Sequence, residues 1–99
     1  MMTIVSRVQL EEGREPAWDE AFRKRATAAR EQPGFVSLQL GVPVDELSQR
    51  VVIGTWQSRA DWEAWHATKP FQDTRVELDA PAAKTLHEDW HEIIVEERA

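Results

Sequence analysis

From Thr3 to Leu10 the chain alternates, with Ile4, Ser6, Val8 and Leu10 on one side of an extended segment and Thr3, Val5, Arg7 and Gln9 on the other; this period predicts a first strand. Glu11-Glu12-Gly13-Arg14-Glu15 supplies a turn. Pro16 suits the first position of a helix, and beyond it Trp18, Ala21, Phe22, Arg25, Ala26 and Ala29 recur along one helical stripe. That helix ends before Pro33-Gly34. A second alternation sets Val36, Leu38, Leu40 and Val42 against Phe35, Ser37, Gln39 and Gly41 until Pro43 stops it, predicting strand two. Residues 44–49 read as a loop, and Arg50-Val51-Val52-Ile53-Gly54-Thr55-Trp56 is β-branched enough to be the antiparallel partner strand.

Ser58 offers a cap for the next helix, on which Trp62 and Trp65 lie three apart. Pro70 breaks or restarts that helix, a short helical stretch is expected over residues 72–76, and Asp79-Ala80-Pro81 marks a loop. The last segment fits two periods: Leu86, Trp90, Ile93 and Ile94 suit a helix, while residues 90–95 alternate as a strand. The reading adopted is a turn or short helix, then a strand from about Trp90. The resulting order, β-α-β-β-α-β, is that of an α+β ferredoxin-like antiparallel sheet carrying its helices on one face. Several strands are apolar on both faces, so a second sheet packed on the open side predicts a homodimer.

Composition narrows the function. The 99 residues suit one domain spanning 1–99, and the longest apolar runs, such as Ile93-Ile94-Val95, fall far short of the roughly 20 residues that cross a bilayer. The amino terminus lacks the pattern of a secretory signal, so the expected compartment is the cytoplasm and no membrane partner is expected. Without cysteine there is no disulfide, thiolate metal site or cysteine nucleophile. Eighteen acidic against 12 basic residues, with no aromatic-interleaved basic patch, argue against nucleic acid as a partner. The four glycines are scattered, so no nucleotide or flavin fingerprint is present and no such cofactor is expected. Five tryptophans without a tyrosine either fill the core or line a pocket for a flat organic ligand.

His87-Glu88-Asp89-Trp90-His91 satisfies H-E-x-x-H, which on a helix places two imidazoles toward one zinc ion with the glutamate as general base. The eight residues after His91 contain no His, Cys or Asp and leave no room for a downstream substrate cleft. If the segment is extended, its ends lie about 13 Å apart, too far for one ion. No metal site is therefore expected. The acidic run Glu88, Asp89, Glu92, Glu96 and Glu97 reads as a solvated strand face, or as a charged edge that discourages sheet-to-sheet aggregation.

Pro33-Gly34-Phe35, the strand closing on Trp56, and Trp56-Gln57-Ser58-Arg59-Ala60-Asp61-Trp62-Glu63-Ala64-Trp65 resemble the antibiotic biosynthesis monooxygenase family, a group of small dimeric α+β-barrel proteins. The resemblance runs from Ile4 to Phe71 and includes the final strand. It implies a dimeric barrel and admits several chemistries: cofactor-free oxygenases of phenolic polyketides, heme-degrading enzymes and small-signal-processing isomerases. The heme-degrading pattern of a strand-one asparagine, a helix-two tryptophan and a histidine ligand falls on Ser6, Trp65 and Thr74. Only Trp65 matches, and the nearby His66 points about 100° away from it on a helix.

The leading expectation that the resemblance implies is a cofactor-independent monooxygenase that oxidises an electron-rich aromatic or quinol-type substrate with molecular oxygen. The expected catalytic residues are Trp65, His66 and Ser6; Phe22 and Trp62 are expected to bind the substrate, while Trp18 and Trp56 are assigned to packing. For Ser6, a lone hydroxyl on an apolar face, the simplest outcome is a bond to neighbouring backbone, and the alternative is that it lines a cavity. Heme binding or degradation, and non-catalytic binding of a hydrophobic molecule, are the competing readings.

Overall fold

Alternation along four segments becomes a sheet because each strand finds a neighbour whose apolar side faces the same way. The computed structural model describes residues 1–79 and 83–99. The elements run β1 (Met2–Leu10), α1 (Glu15–Ala29), β2 (Phe35–Gly41), β3 (Gln49–Trp56), α2 (Arg59–His66), α3 (Lys69–Asp79) and β4 (Ala83–Glu92). The strands order as β2-β3-β1-β4 with every pair antiparallel, the ferredoxin-like α+β arrangement. The second helical unit comes in two pieces. Pro70 restarts the chain as α3, because a residue without an N–H and with φ near −65° is at ease in a first turn. The helix is accordingly longer than the expected 72–76. The expected loop at 79–81 lies, from Ala80 onward, outside the described residues.

Two expectations are corrected. The segment before Trp90 is neither turn nor short helix: β4 begins at Ala83, pairs along the whole of β1 and ends at Glu92. Helical and extended spacings were both available to this segment, and the open edge of β1 decides between them by offering a row of unpaired backbone groups. In β2, a bulge between Phe35 and Ser37 absorbs Val36 as an extra residue. Phe35 therefore turns to the same side as Leu38 and packs edge-on against Trp56, with ring centroids 5.5 Å apart.

All three helices contribute to a core on one face of the sheet. Leu10, Trp18, Ala21, Phe22 and Leu78 form one buried cluster, and Ala29, Trp56, Trp65 and Phe71 a second, with Leu38 touching both. Trp18 donates its indole N–H to the Leu78 carbonyl at 3.1 Å, tying α1 to the end of α3. Arg50 is buried at 5% exposure, yet each of its three side-chain nitrogens is hydrogen-bonded. Its Nε and Nη2 meet the Asp19 carboxylate at 2.8 and 3.0 Å, and Nη1 reaches the Leu47 and Gln49 carbonyls. This fork pins α1 across β3. No described helix is long and apolar enough to cross a membrane.

Candidate functional site

Between the two core clusters the sheet and helices do not close completely. Ser6 on β1 and Gly54 on β3 are the small residues of the inner sheet face. A side chain at Gly54 would begin 3.4–3.6 Å from Leu38, Ile4 and Trp56. Above this floor lies a cavity of about 670 Å³, within the range of small-molecule sites. Its walls include Phe22, Trp56, Trp62, Trp65 and Phe71. All five residues expected at the site, Ser6, Phe22, Trp62, Trp65 and His66, line this one cavity. Trp18 and Trp56, assigned to packing, do pack in the core and also face the opening.

The helix carrying most of these residues is fixed at its start. Ser58 Oγ accepts the Asp61 N–H at 3.1 Å and donates to the Asp61 carboxylate at 3.0 Å, so cap and first turn hold one another. One turn later Trp65 is 4% exposed and stacks on Trp56 at 6.5 Å, while Phe71 meets it edge-on at 5.4 Å. Trp62 rests edge-on against Trp90 of β4 at 4.9 Å.

His66 lies half-buried, its ring 3.7 Å from that of Trp62 and 4.0 Å from that of Phe71. Although one residue on from Trp65 along the helix, it reaches the same cavity, because α3 folds back and brings Phe71 against it. Its Nδ1 lies 2.9 Å from the Trp62 carbonyl oxygen. A carbonyl only accepts, so Nδ1 carries the proton and the lone pair of the neutral ring resides on Nε2. Burial lowers its pKa from the ordinary imidazole value. The Trp62 carbonyl opposes this, Arg25 and Arg75 add to it, and Glu88 opposes it.

Ser6 does not bond to neighbouring backbone. Its Oγ donates to the Glu88 carboxylate across the β1–β4 ladder at 3.3 Å. Glu88 is exposed on an edge strand, as a solvated charged edge requires, and it also turns to the inner face and lines the cavity, a role that its acidic run does not show. Strand parity explains this: with β4 extended, 88 and 90 turn inward while His87, Asp89 and His91 turn outward. The same extension separates His87 from His91 by about 13 Å, so the H-E-x-x-H spacing does not bring its imidazoles together.

Four further cavity residues carry polar chemistry: Arg25, which falls on the predicted stripe without being assigned a role, and Arg75, Asp79 and Thr85, which no sequence pattern singled out. Arg25 lies over the Phe71 ring at 4.0 Å and donates Nε–H to Thr74 Oγ1 at 2.9 Å. Thr74, where the resemblance places a heme-ligating histidine, in turn donates to the Phe71 carbonyl. Its hydroxyl is thus engaged twice, and a neutral threonine hydroxyl is not among the imidazole, thiolate, thioether or phenolate ligands that hold heme iron. The residues present do not fit a heme held through that position.

A four-stranded antiparallel sheet with helices on one face and an aromatic cavity between them defines a small ferredoxin-like α+β domain built around a ligand space. A family model described as antibiotic biosynthesis monooxygenase matches residues 1–77, and the chain belongs to that family. Among solved structures, it is similar to SnoaB, a cofactor-independent oxygenase from Streptomyces nogalater (21% identity, TM-score 0.84, covering 96% of this chain and 94% of that one). It is also similar to a structure described as an antibiotic biosynthesis monooxygenase (16% identity, TM-score 0.83, covering 96% of this chain and 100% of that one). A third similar structure is a variant of MhuD with two manganese protoporphyrin IX molecules bound per active site (23% identity, TM-score 0.78, both chains fully covered). These identities establish a shared fold. No curated protein sequence matches the chain significantly.

Proposed function

We propose that the protein is a cofactor-independent monooxygenase acting on an electron-rich aromatic or quinol-type substrate in the cavity above Ser6 and Gly54. The observation that carries this reading is His66: its Nδ1–H is committed to the Trp62 carbonyl, burial favours its neutral form, and Nε2 is left as a base between aromatic walls. A substrate that reduces oxygen by itself must first ionise. For a ring methylene activated by a neighbouring carbonyl, His66 takes one proton and leaves a carbanion. The carbanion gives an electron to oxygen, recombination forms a carbon–oxygen bond, and the peroxide anion so formed takes the proton back from His66 to become the hydroperoxide. Loss of water from the resulting hydroperoxide yields the ketone, so CH₂ plus O₂ becomes C=O plus H₂O and all the electrons come from the substrate. Trp65 holds the ring and offers its indole N–H to the developing oxyanion, with Phe22 and Trp62 as walls. Ser6 orients a polar substituent.

Oxygen uptake with an anthrone or a dihydroxynaphthalene in metal-free buffer tests this. Turnover above the spontaneous rate is expected, falling about 100-fold in His66→Ala and about tenfold or more in Trp65→Phe. Wild-type uptake no faster than background for both substrates would overturn the oxygenase reading. Undiminished uptake in both variants would keep the activity and discard the site.

We infer further that two copies associate through the open face of the sheet. Val5, Val51 and Ile53 are half-buried there although all the described helices lie on the other side. A second sheet packed on them completes the dimeric barrel that the resemblance implies.

A further inference from the structure

The charged residues of the cavity are sorted by wall. On the helical side stand Arg25 of α1 and Arg75 and Asp79 of α3; on the strand side stands Glu88 of β4, beside Ser6. Asp79 is shared by both arginines, 3.2 Å from Arg75 and 3.9 Å from Arg25, so the helical side carries one cation more than it has anions to match. The less well-matched of the two is Arg25. Its side chain is only 14% exposed, and its two hydrogen bonds go to neutral acceptors, Thr74 Oγ1 and the Phe71 carbonyl. Burial holds this guanidinium below its ordinary pKa, Asp79 offsets that only in part and Arg75 adds to it. On the strand side the exposed Glu88 carboxylate accepts one hydrogen bond from the Ser6 hydroxyl and keeps further acceptor capacity. Phe71, His66 and Trp62 stack in sequence from the Arg25 end toward Trp90, two residues along β4 from Glu88. Arg59 lies over Trp90 at 5.1 Å but does not line the cavity, so within the cavity the aromatic walls run from Arg25 toward the strand that carries Glu88.

We propose that this cavity is an oriented subsite for aromatic hydroxy acids, with the ligand's carboxylate on Arg25 and a hydroxyl at its far end donating to Glu88. The assignment deepens the aromatic-substrate reading above and rests on it only for the choice of a flat apolar body. Each pole does separate physical work. A carboxylate completes the partnership of a poorly matched, planar guanidinium by paired N–H donors. A hydroxyl is what an ionised carboxylate accepts, whereas a second anion at that end is repelled. The ligand's long axis is thereby fixed across His66, which lies between the poles. Charge also sets the order of preference: acids with a distal hydroxyl first, plain acids and plain phenols after, and diacids excluded from the Glu88 end.

The test is binding, read from quenching of the cavity tryptophans in anaerobic, metal-free buffer with a probe that does not autoxidise. The probe is 6-hydroxy-2-naphthoate, compared with its carboxamide, 2-naphthoate and 2-naphthol. Wild type is expected to bind the hydroxy acid about tenfold or more tightly than the carboxamide, and several-fold more tightly than 2-naphthoate. Arg25→Gln should erase the preference for acid over amide and keep the preference for the distal hydroxyl. Glu88→Gln should do the reverse. Arg25→Lys, which keeps the charge, should retain part of the acid preference and guards against a folding defect in the glutamine variant. Equal affinity of wild type for acid and amide overturns the proposal with no variant needed, as does an acid preference that survives in folded Arg25→Gln. Because no turnover is measured, failure of the oxygen-uptake experiment leaves this result standing, and failure here leaves oxygen uptake open.

Discussion

His66 shows how one hydrogen bond sets the chemistry a residue can offer. The Trp62 carbonyl fixes its tautomer, and burial keeps the ring neutral at pH values where a free imidazole begins to charge. In the folded protein its pKa lies below the unfolded value, so between the two the unfolded chain binds more protons. Its contribution to stability is therefore present above about pH 6.5 and is lost as pH falls from there through the folded-state pKa. Urea midpoints of wild type at about pH 7.5 and about pH 5.5 should differ by more than those of His66→Gln; equal differences would count against a buried neutral imidazole. For the same reason oxygen uptake should persist below pH 6.5 and fall only as His66 charges. Much of this site is legible in the sequence, because Phe22, Trp62 and Trp65 occupy the inward positions of amphipathic helices. Glu88 was not. Glu88 is solvated, as its acidic run suggests, but that it also faces the cavity follows only from the strand's starting residue and the parity it sets. Arg25 fell on the predicted stripe, but its partners Thr74, Asp79 and Phe71 belong to a helix about fifty residues on, and no local period reveals them.

At the scale of elements, the site depends on how the β2 turn meets the start of α2. Gly34 takes φ +82°, and a Cβ there would overlap the Asp61 side chain at 2.3 Å. The carbonyl of Gly34 also accepts the Gln57 N–H at 2.8 Å, so turn, strand end and cap form one joint. Gly34→Ala is expected to cost more than about 1 kcal/mol, from backbone strain and displacement of Asp61 together. It should also weaken ligand binding, because α2 presents Trp62, Trp65 and His66. Adding Asp61→Ala should restore part of the stability by removing the two nearest atoms, Cγ and Oδ2, while the Asp61 Cβ at 2.6 Å and the strain of positive φ remain; a single Gly34→Ala with unchanged thermal midpoint would refute the joint. Ser58→Ala, by comparison, should cost about 1 kcal/mol as an ordinary cap loss. The Pro33-Gly34 pair and the Ser58 cap mark these boundaries in the sequence, whereas their contact through Asp61 is a tertiary fact. The fourth strand was harder to read for a related reason: its apolar residues satisfy two periods, and the choice is made by β1, some eighty residues away.

At the scale of the molecule, the helices account for only one side of the sheet. The outer face alternates Thr3, Val5 and Arg7 on β1 with Val51, Ile53 and Thr55 on β3. Thr3 and Thr55 share a hydrogen bond of 2.8 Å, and Thr55 is 7% exposed, so one end of this face is already buried in one copy. Around the face stand Gln39 on β2 and His87, Asp89 and His91 on β4, the polar rim an interface needs if an apolar centre is to be sealed. Burying Val5, Val51 and Ile53 against a second sheet removes the apolar surface that an isolated chain of this size can least tolerate in water. The proposed dimer also protects the cavity, since a sheet held on both faces cannot shear and disturb the small gap above Ser6 and Gly54. Sedimentation equilibrium at micromolar concentration should therefore give twice the chain mass. Ile53→Lys, whose side chain leaves the cavity side untouched, should shift the protein to monomer, because desolvating an unpaired ammonium at the centre of the interface costs more than the apolar contact it replaces. A wild type that remains monomeric under these conditions would remove the dimer. A dimeric Ile53→Lys would move the interface off this face.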